Sequence, residues 1–396
     1  LRVRADSQTE NVIANISGGE IYGRIDHQMS SSKAGVKGTL NISGGTFTPY
    51  GIKNTAIKVF GAGPNTDASG IVLNISGGKF DAPIEVNKVD PVALGQGFNE
   101  KFITGGTFTV DPSEYVANGY VAKQNENSLW TIVPAPAVVE GGYEISNAAQ
   151  LKYFAESVNA GETTYNGTTI KLAADIDLQN EPWTPIGFNA NIVAGSENYF
   201  TGTFDGQNHT IRNLKIDVKD QGGVGLFGTV YNASFKNFTL ENVDIKAVES
   251  ENDPANTSGA ENHSDYIVGG HTGAVVGYDA KAGEVNFENV HVKGLVRIEG
   301  ETRAAQGQRI GGIIGGRRSS KMTFKNVSVK GTDGSYIKGY CSTAGVSGQI
   351  QNVATYENVH TDIDVYAVTF GAGGIAGIVT QGSTFTNCSS AGDITL

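Results

Sequence analysis

A two-part pattern of apolar and polar residues occurs five times in the second half of the chain. The first part is a box of four residues, mostly small or apolar, that ends in glycine: Gly225–Gly228, Ala274–Gly277, Gly312–Gly315, Gly345–Gly348 and Gly374–Gly377. The second part, seven to ten residues later, is an aromatic residue, any residue and asparagine: Phe235–Asn237, Phe287–Asn289, Phe324–Asn326, Tyr356–Asn358 and Phe385–Asn387. Segments that recur at 29 to 52 residues predict a stack of units, each burying its apolar face on its neighbours.

The residue types within each copy favour strands over helices. The copies are rich in Val, Ile, Thr, Phe and Gly and show no period of 3.6 residues. The aromatic residue and the residue after the asparagine are both predicted to point inward, although they are three positions apart. A regular strand would place them on opposite faces, so the alternation must be interrupted between them. We therefore predict that the asparagine lies at a bend, in the left-handed conformation that this residue tolerates. The pattern predicts a right-handed parallel β-helix with three short strands per turn.

Three columns of residues follow if the copies stack in register. The five asparagines, Asn237, Asn289, Asn326, Asn358 and Asn387, are predicted to hydrogen-bond through their side-chain amides as a structural ladder. The glycine that closes each box is predicted to mark a corner or a crowded backbone. Lys236, Glu288, Lys325 and Glu357, each between an aromatic residue and an asparagine, are predicted to form an outward column of alternating charge.

A different repeat fills the first third of the chain. Its copies are Asn15–Gly19, Asn41–Gly45, Asn74–Gly78 and Phe102–Gly106, each with an apolar residue two positions later. We predict a second, shorter β-solenoid over residues 1–133, with the isoleucine of each copy pointing inward. A helical turn at Asp111–Gly119 and a hairpin of Tyr120–Gln124 with Ser128–Val133 are predicted to cap it. A linker over residues 134–142, bracketed by proline and glycine, is predicted to follow.

The second domain is predicted to span residues 143–396 and to begin with a helix at Asn147–Asn159. Asn147 is its predicted N-cap, and Gln150 follows three residues later as in a capping box. Leu151, Phe154, Ala155 and Val158 share one face, which is predicted to cover the N-terminal mouth of the stack. The strands Thr169–Asp177 and Phe200–Ile216 would form the first rungs. The predicted fold class is therefore all-β: two tandem right-handed parallel β-helix (β-solenoid) domains, the second capped by one N-terminal α-helix.

Composition narrows the function classes. Glycine accounts for 54 of 396 residues, about twice the ordinary usage of about 7%, which fits a β chain rich in corners. The formal net charge of −11 argues against nucleic-acid binding, because phosphate contacts depend on Lys and Arg. No uninterrupted apolar run is long enough to span a bilayer. Two cysteines do not make a disulfide framework, and the composition is that of an exported or surface protein.

The repeats resemble those of known surface proteins. The glycine box with its aromatic-Asn phrase resembles the Glug-motif repeats of bacterial surface proteins, over about Gly222 to Leu396. The first-third repeats are similar to β-helical, adhesin-like proteins of gut Bacteroidetes. Phe204–Ile211 is similar to the first-rung phrase of many right-handed β-helices, pectin-degrading enzymes included, where it is architectural. The resemblance implies cell adhesion and a secreted or cell-surface, outer membrane-associated location, and it transfers no catalytic residue.

Candidate catalytic groups are sparse. A β-helix glycosidase needs two or three carboxylates that converge on one groove. Asp175 and Asp177 are the nearest pair, but their alternation with Ile176 is equally typical of a solvated strand face. His291 and His360 share one repeat position and are predicted to face solvent, about 10 Å apart across Ser328, too far for a metal pair. We assign no catalytic, cofactor-binding or metal residues.

An acidic insertion separates the first two copies of the second repeat. Glu249, Glu251, Asp253 and Asp265 within it form a candidate ligand loop, because insertions that leave a stack at a corner often carry recognition. Carboxylates of this kind suit calcium, but their spacing does not match an EF-hand. A solvated loop is the favoured interpretation, and no cofactor is assigned.

The sequence predicts a non-enzymatic secreted or cell-surface protein, an adhesin-like binding module or rigid spacer that contacts glycans or surface proteins. The alternative is a carbohydrate-active β-helix enzyme, a polysaccharide lyase or glycoside hydrolase. A cleft with three clustered acids or a bound calcium would favour that alternative. We also expect the last rung, Phe385–Leu396, to be covered by another chain or continued in a longer protein, so end-to-end self-association is a further expectation.

Overall fold

A computed structural model describes residues 1–5, 11–29, 36–51, 54–61, 68–88, 97–188, 198–219, 223–248, 271–301, 308–316, 320–369, 371–380 and 382–396. Most of these residues lie in β-strands, accompanied by one α-helix and one short 3-10 helix. The chain divides into two compact units, unit 1 (Leu1–Ala137) and unit 2 (Val138–Leu396), and each unit has its own hydrophobic core. The all-β class predicted from the sequence is confirmed at this level.

Unit 1 is built mainly from parallel strands. They are β1 (Arg2–Ala5), β2 (Val12–Tyr22), β3 (Ile25–Met29), β4 (Gly38–Thr48), β5 (Ile57–Phe60), β6 (Ile71–Phe80), β7 (Ile84–Val86), β8 (Ile103–Phe108), β9 (Tyr120–Gln124) and β10 (Trp130–Pro134). One sheet has the order β1-β3-β5-β7 and the other β2-β4-β6-β8-β10-β9. Strands β9 and β10 form an antiparallel hairpin, and β10 continues the second sheet antiparallel to β8.

The repeats of unit 1 lie in register. Ile16, Ile42, Ile75 and Ile103 are aligned across β2, β4, β6 and β8. The rings of Phe47, Phe80 and Phe108 stack in the core with centroids 4.6 and 4.7 Å apart. The helical turn predicted at Asp111–Gly119 is shorter than expected, a 3-10 helix at Ser113–Tyr115. Its geometry follows from Asp111, whose side chain accepts a hydrogen bond from the Ser113 amide at 2.9 Å.

One polar residue, His27, lies in an apolar column of unit 1. His27 is aligned with Val3 and Val59 and is completely buried. Its Nε2 lies 3.1 Å from the carbonyl oxygen of Val72. Burial lowers the pKa of His27, and nearby backbone carbonyls, that of Val72 first, offset only part of this effect. The imidazole is therefore neutral in the folded unit at neutral pH.

We expect unit 1 to lose stability as the pH falls below about 6.5, the ordinary pKa of a histidine in an unfolded chain. Below that pH the unfolded chain binds a proton, whereas folded His27 binds one only below its own lowered pKa. Each unit of pKa difference is equivalent to about 1.4 kcal/mol of unfolding free energy. Hydrogen exchange of β4, corrected for intrinsic rates, measures the loss. The control is His27→Val, which matches the neighbouring valines, and parallel pH profiles for the two proteins would contradict the prediction.

The remaining strands lie in unit 2, except that the first residue of the first of them, Ala137, belongs to unit 1. They are β11 (Ala137–Val139), β12 (Gly142–Ile145), β13 (Thr169–Leu172), β14 (Ile176–Asp177), β15 (Thr203–Lys219), β16 (Gly223–Val224), β17 (Phe227–Val230), β18 (Ala233–Val248), β19 (His271–Gly273), β20 (Val276–Asp279), β21 (Glu284–Glu301), β22 (Arg309–Gly311), β23 (Lys321–Gly331), β24 (Tyr336–Gly339), β25 (Ser342–Ala344), β26 (Ser347–Ile350), β27 (Ala354–Asp362), β28 (Asp364–Ala367), β29 (Ala372–Gly373), β30 (Ala376–Val379), β31 (Thr384–Thr386), β32 (Ser389–Ser390) and β33 (Ile394–Thr395).

Successive copies of the repeat add parallel strands to the same sheets. The large sheet follows the order β11-β12-β13-β15-β18-β21-β23-β27-β31, with β24 and β28 extending the last rungs. A second sheet has the order β16-β19-β22-β25-β29, and short pairs are formed by β17 with β20 and β26 with β30. Residues within the predicted linker over residues 134–142 form a strand. The residues between its prolines and its glycines form β11, which pairs with β12.

The core of unit 2 contains the predicted aromatic column. Phe235, Phe287, Phe324, Tyr356 and Phe385 are aligned, and their rings stack with centroids 5.3, 5.1, 4.7 and 4.4 Å apart. All but the last are buried, and Phe385 is 46% exposed. The helix α1 (Ala148–Asn159) packs its apolar face into the same core, where Phe154 contacts Phe200 and Phe227 edge-on.

The cap of α1 differs from the predicted capping box by one residue. The Asn147 side chain accepts a hydrogen bond from the Gln150 amide at 3.0 Å, as predicted. The Gln150 side chain, however, reaches back to the Ser146 amide at 2.8 Å rather than to that of Asn147. Both contacts satisfy backbone donors at the start of the helix.

Two buried hydroxyl groups in the core of unit 2 contact each other. Tyr356 is the one tyrosine in the aromatic column, and Ser347 replaces an apolar residue at the third position of the fourth box. Both are buried, and the two hydroxyl oxygens are 2.6 Å apart. We expect Ser347→Ala or Tyr356→Phe alone to lower the unfolding free energy by about 1–3 kcal/mol, because each leaves a buried hydroxyl without a partner.

The Ser347→Ala/Tyr356→Phe double variant should be less destabilised than the sum of the single variants. A coupling energy of about 0.5–3 kcal/mol is typical of two residues in contact. Urea unfolding of the four proteins measures it. A sum of single effects equal to the double effect would mean that the two hydroxyls do not depend on each other.

Candidate binding surface

The five predicted ladder asparagines lie in one column on unit 2. All five have left-handed backbone conformations, with φ between 52° and 58°. Each Nδ2 donates to the Oδ1 of the preceding asparagine: Asn289 to Asn237 at 2.9 Å, Asn326 to Asn289 at 2.9 Å, Asn358 to Asn326 at 3.0 Å and Asn387 to Asn358 at 2.6 Å. The bend at each asparagine explains why the aromatic residue two positions before it and the residue directly after it both point inward.

The ladder begins at a carboxylate that sequence reasoning missed. Asn237 Nδ2 donates to Asp205 Oδ1 at 3.0 Å, and Lys236 Nζ lies 3.3 Å from Asp205 Oδ2. Burial acts to raise the pKa of Asp205, but hydrogen bonds from Asn237 and Gln207 and the charge of Lys236 outweigh it and lower the pKa. Because every amide donates toward this end, an ionised acceptor suits the first position. The part of the sequence that could have indicated this role is Phe204–Asp205. In the structure it is aligned with Phe235–Lys236 of the first aromatic-Asn phrase.

A second, shorter ladder follows a second bend of the long strands. Asn213 and Asn242 have φ of 60° and 59°. Asn242 Nδ2 donates to Asn213 Oδ1 at 3.3 Å, and Asn213 Nδ2 donates to Asp177 Oδ1 at 2.8 Å. On the next strand Gly294, with φ of 84°, takes the bend without an amide. The sequence does indicate this second bend, because a second asparagine follows the asparagine of the first bend by five residues. Only two copies have it, and two copies are too few to identify a repeat.

The two acids considered as a catalytic pair hold the first rungs together. Asp175 accepts hydrogen bonds from the Thr210 amide at 3.0 Å and from Arg212 at 2.7 Å, and Asp177 accepts from Asn213. The bond from Thr210, followed by that from Arg212, lowers the pKa of Asp175. The bond from Asn213 lowers the pKa of Asp177. Both carboxylates are ionised at neutral pH, so neither is suited to be the general acid of glycoside hydrolysis.

Charged side chains form four aligned columns on the outward face of the large sheet. In strand order, column 1 is Asp205, Lys236, Glu288, Lys325 and Glu357; column 2 is Arg212, Glu241, Lys293, Lys330 and Asp362; column 3 is Lys215, Asp244, Arg297, Tyr336 and Asp364; and column 4 is Asp217, Lys246, Glu299, Lys338 and Tyr366. Column 1 contains the residues predicted to alternate in charge. Neighbours within it include the ion pair of Lys325 with Glu288 at 3.7 Å.

A column of histidine and hydroxyl residues lies between the first ladder and column 2. It consists of Thr239, His291, Ser328, His360 and Ser389. His291 Nδ1 lies 2.8 Å from Ser328 Oγ, and His360 Nδ1 lies 2.8 Å from Ser389 Oγ. The two histidines face outward but are half-buried rather than fully solvated, because each packs against the serine of the next strand.

The candidate ligand loop cannot be placed on this surface. Glu249, Glu251, Asp253 and Asp265 lie outside the described residues. Within the described ranges, no group of three or more His, Cys, Asp or Glu side chains is arranged to hold a metal ion. Among the same residues, no helix has the length and hydropathy needed to cross a membrane. Neither cysteine is in a disulfide: Cys341 is buried, and Cys388 is half-buried.

Comparisons with known proteins give limited similarity. No family model matches the chain. A segment is 33% identical over 130 residues to halomucin from Haloquadratum walsbyi; it covers 31% of this chain but only 1% of halomucin. A solved structure from Bacteroides ovatus, described as a candidate immunoglobulin A1 protease, aligns with 66% of this chain and 84% of its own at 14% identity. Its TM-score of 0.32 is too low to indicate a shared fold.

Proposed function

We propose that the chain is an adhesin-like binding module, in which two right-handed parallel β-solenoid units hold polar surfaces toward glycans or surface proteins. The observation that carries the proposal is the outward face of the large sheet of unit 2. Charged, hydroxyl and amide side chains are aligned there from strand to strand on a frame fixed by the Asn ladder. Extended concave or flat faces of this kind are the surfaces that stacked-repeat proteins use for recognition.

The geometry of the acids favours binding over hydrolysis. Asp175 and Asp177 are engaged by Arg212 and Asn213 and have lowered pKa values, so their chemistry is that of structural anions. A secreted or cell-surface location is part of the proposal, and the exported character of the composition and the local similarity to halomucin support it. The proposal includes no cofactor and no enzymatic activity.

A glycan array tests the proposal when it is run with the purified full chain beside a polysaccharide-degradation screen. We expect retention on a defined subset of glycans without release of reducing ends or unsaturated sugars. Product release would favour the alternative, a polysaccharide lyase or glycoside hydrolase. Lack of retention on glycans and on cell-surface protein preparations would contradict a binding function.

A further inference from the structure

The four charged columns of unit 2 contain one pair of adjacent like charges. Lys293 on β21 and Lys330 on β23 are aligned neighbours in column 2, and both are exposed. Elsewhere in the four columns, each charged residue is followed by one of opposite sign or by a neutral residue. Adjacent parallel strands are about 4.8 Å apart, and like charges placed opposite each other destabilise a sheet.

The neighbouring carboxylates of column 2 lie on either side of this pair, and none lies between the two ammonium groups. Lys293 reaches Glu241 on its other side at 3.6 Å, and Glu241 also contacts Arg212 at 2.9 Å, which in turn pairs with Asp175 at 2.7 Å. Lys330 is aligned with Asp362 but forms no ion pair within the described part of the chain. His291 lies on the same face, two residues before Lys293. Burial first, and then the charges of Lys330 and Lys293, lower the pKa of His291.

The fold does not require a second lysine at this position. Column 3 has the same order of charges as column 2 except at the fourth position. There the neutral Tyr336 stands between Arg297 and Asp364. A neutral residue at position 330 would likewise place no like charges side by side. A local rule broken without compensation is expected at sites that serve function rather than stability.

We propose that Lys293, Lys330, His291 and Ser328 form a binding site for an anionic polysaccharide, one that carries carboxylate or sulfate groups. The inference rests on the proposed binding function and names the ligand class of one surface. The two ammonium groups supply the charge, and each donates hydrogen bonds to an anionic oxygen. Ser328 and the imidazole of His291, already 2.8 Å apart, supply polar partners for sugar hydroxyls beside the anion.

The shape of the site favours a polysaccharide over a protein or a small molecule. The four residues form a two-by-two array on the open face of a sheet, and small ligands instead prefer enclosed apolar clefts. No aromatic residue belongs to the array, whereas protein interfaces are anchored by Trp, Tyr and Arg. The strand spacing along column 2 is comparable to the length of one pyranose residue, so successive sugars of a chain can meet successive strands.

The test compares four polymers against the full chain at low and high salt. Dextran sulfate and polygalacturonate are the sulfate and carboxylate probes, neutral dextran is the uncharged probe, and poly-glutamate is the acidic polypeptide. We expect Lys293→Gln/Lys330→Gln to weaken binding of the better anionic glycan at least about tenfold. The matched control, Lys152→Gln/Lys281→Gln, removes two exposed lysines of unit 2 that lie outside all four columns, and it should change binding less than about twofold. Lys330→Gln should not lower the melting temperature, since it removes the like pair.

Four outcomes overturn the inference. An equal loss of binding in the control variant would show that net charge alone attracts the polymer. Binding of poly-glutamate as tight as that of the glycans would assign the site to an acidic protein. Binding of neutral glycans only would refute the anionic site while leaving the proposed binding function intact. A chain that binds no glycan and no surface protein would contradict the proposed function as well.

Discussion

Gly348→Ala is expected to destabilise unit 2 by about 3 kcal/mol or more, at the upper end of the cost of overpacking. Gly348 closes the fourth box and lies in β26. This strand passes close to β22, which directly precedes the third box. A Cβ at this position would lie 2.6 Å from Ile310 N and 2.9 Å from Arg309 C. These are backbone atoms within paired strands, so they cannot move aside as a flexible side chain can. Urea unfolding followed by circular dichroism measures the change.

Gly371→Ala is the matched control in the same unit. The nearest atom to a Cβ there is the Gly377 carbonyl oxygen at 3.3 Å, which requires only a small adjustment. We expect a change within about 0.5 kcal/mol, as for surface substitutions in general. Equal destabilisation by both substitutions would mean that the box glycine is kept for flexibility and not for close backbone contact.

The aromatic-Asn phrase could be interpreted from the sequence because its physical constraints are local. Two inward residues three apart require a bend, and asparagine is one of the few residues that accept the left-handed conformation of that bend. Asn326 in the structure has φ of 53° and donates to Asn289 on the preceding strand. The helix was predictable for the same reason, since the contact of Asn147 with the Gln150 amide is encoded within four residues.

The glycine boxes show where a local pattern is ambiguous. The sequence allowed either a corner or a crowded backbone at the closing glycine. None of the five closing glycines has a positive φ, and Gly315 and Gly348 are surrounded by backbone atoms of other strands. Crowding depends on which strands pack together, and that information is distributed over several copies of the repeat.

Features that occur once were beyond the reach of pattern analysis. Asp205 starts the ladder at a single position, and the pair of Ser347 with Tyr356 exists only in one rung. The like pair of Lys293 and Lys330 needed the register, because 37 residues separate the two lysines in the chain while a single strand spacing separates them in the sheet. His27 was overlooked because the repeat of unit 1 gives no sign that this position points inward.

The second large effect is expected at the centre of the ladder. Asn326→Leu should lower the unfolding free energy of unit 2 by about 2–5 kcal/mol. About 1–3 kcal/mol of this comes from amide groups left without partners, because Asn326 donates to Asn289 at 2.9 Å and accepts from Asn358 at 3.0 Å. A further 1–2 kcal/mol, roughly, comes from forcing a branched side chain into the left-handed conformation at φ 53°.

Asn326→Gly separates the two contributions, because glycine adopts a positive φ without strain but carries no amide. Urea unfolding should therefore give the order wild type, Asn326→Gly, Asn326→Leu, with the glycine variant recovering about 1–2 kcal/mol relative to leucine. Equal stability of the two variants would remove the conformational contribution. A glycine variant as stable as the wild type would mean that the ladder specifies the register of the strands without stabilising them, because the hydrogen bonds it makes would then be no stronger than those the amides make with water.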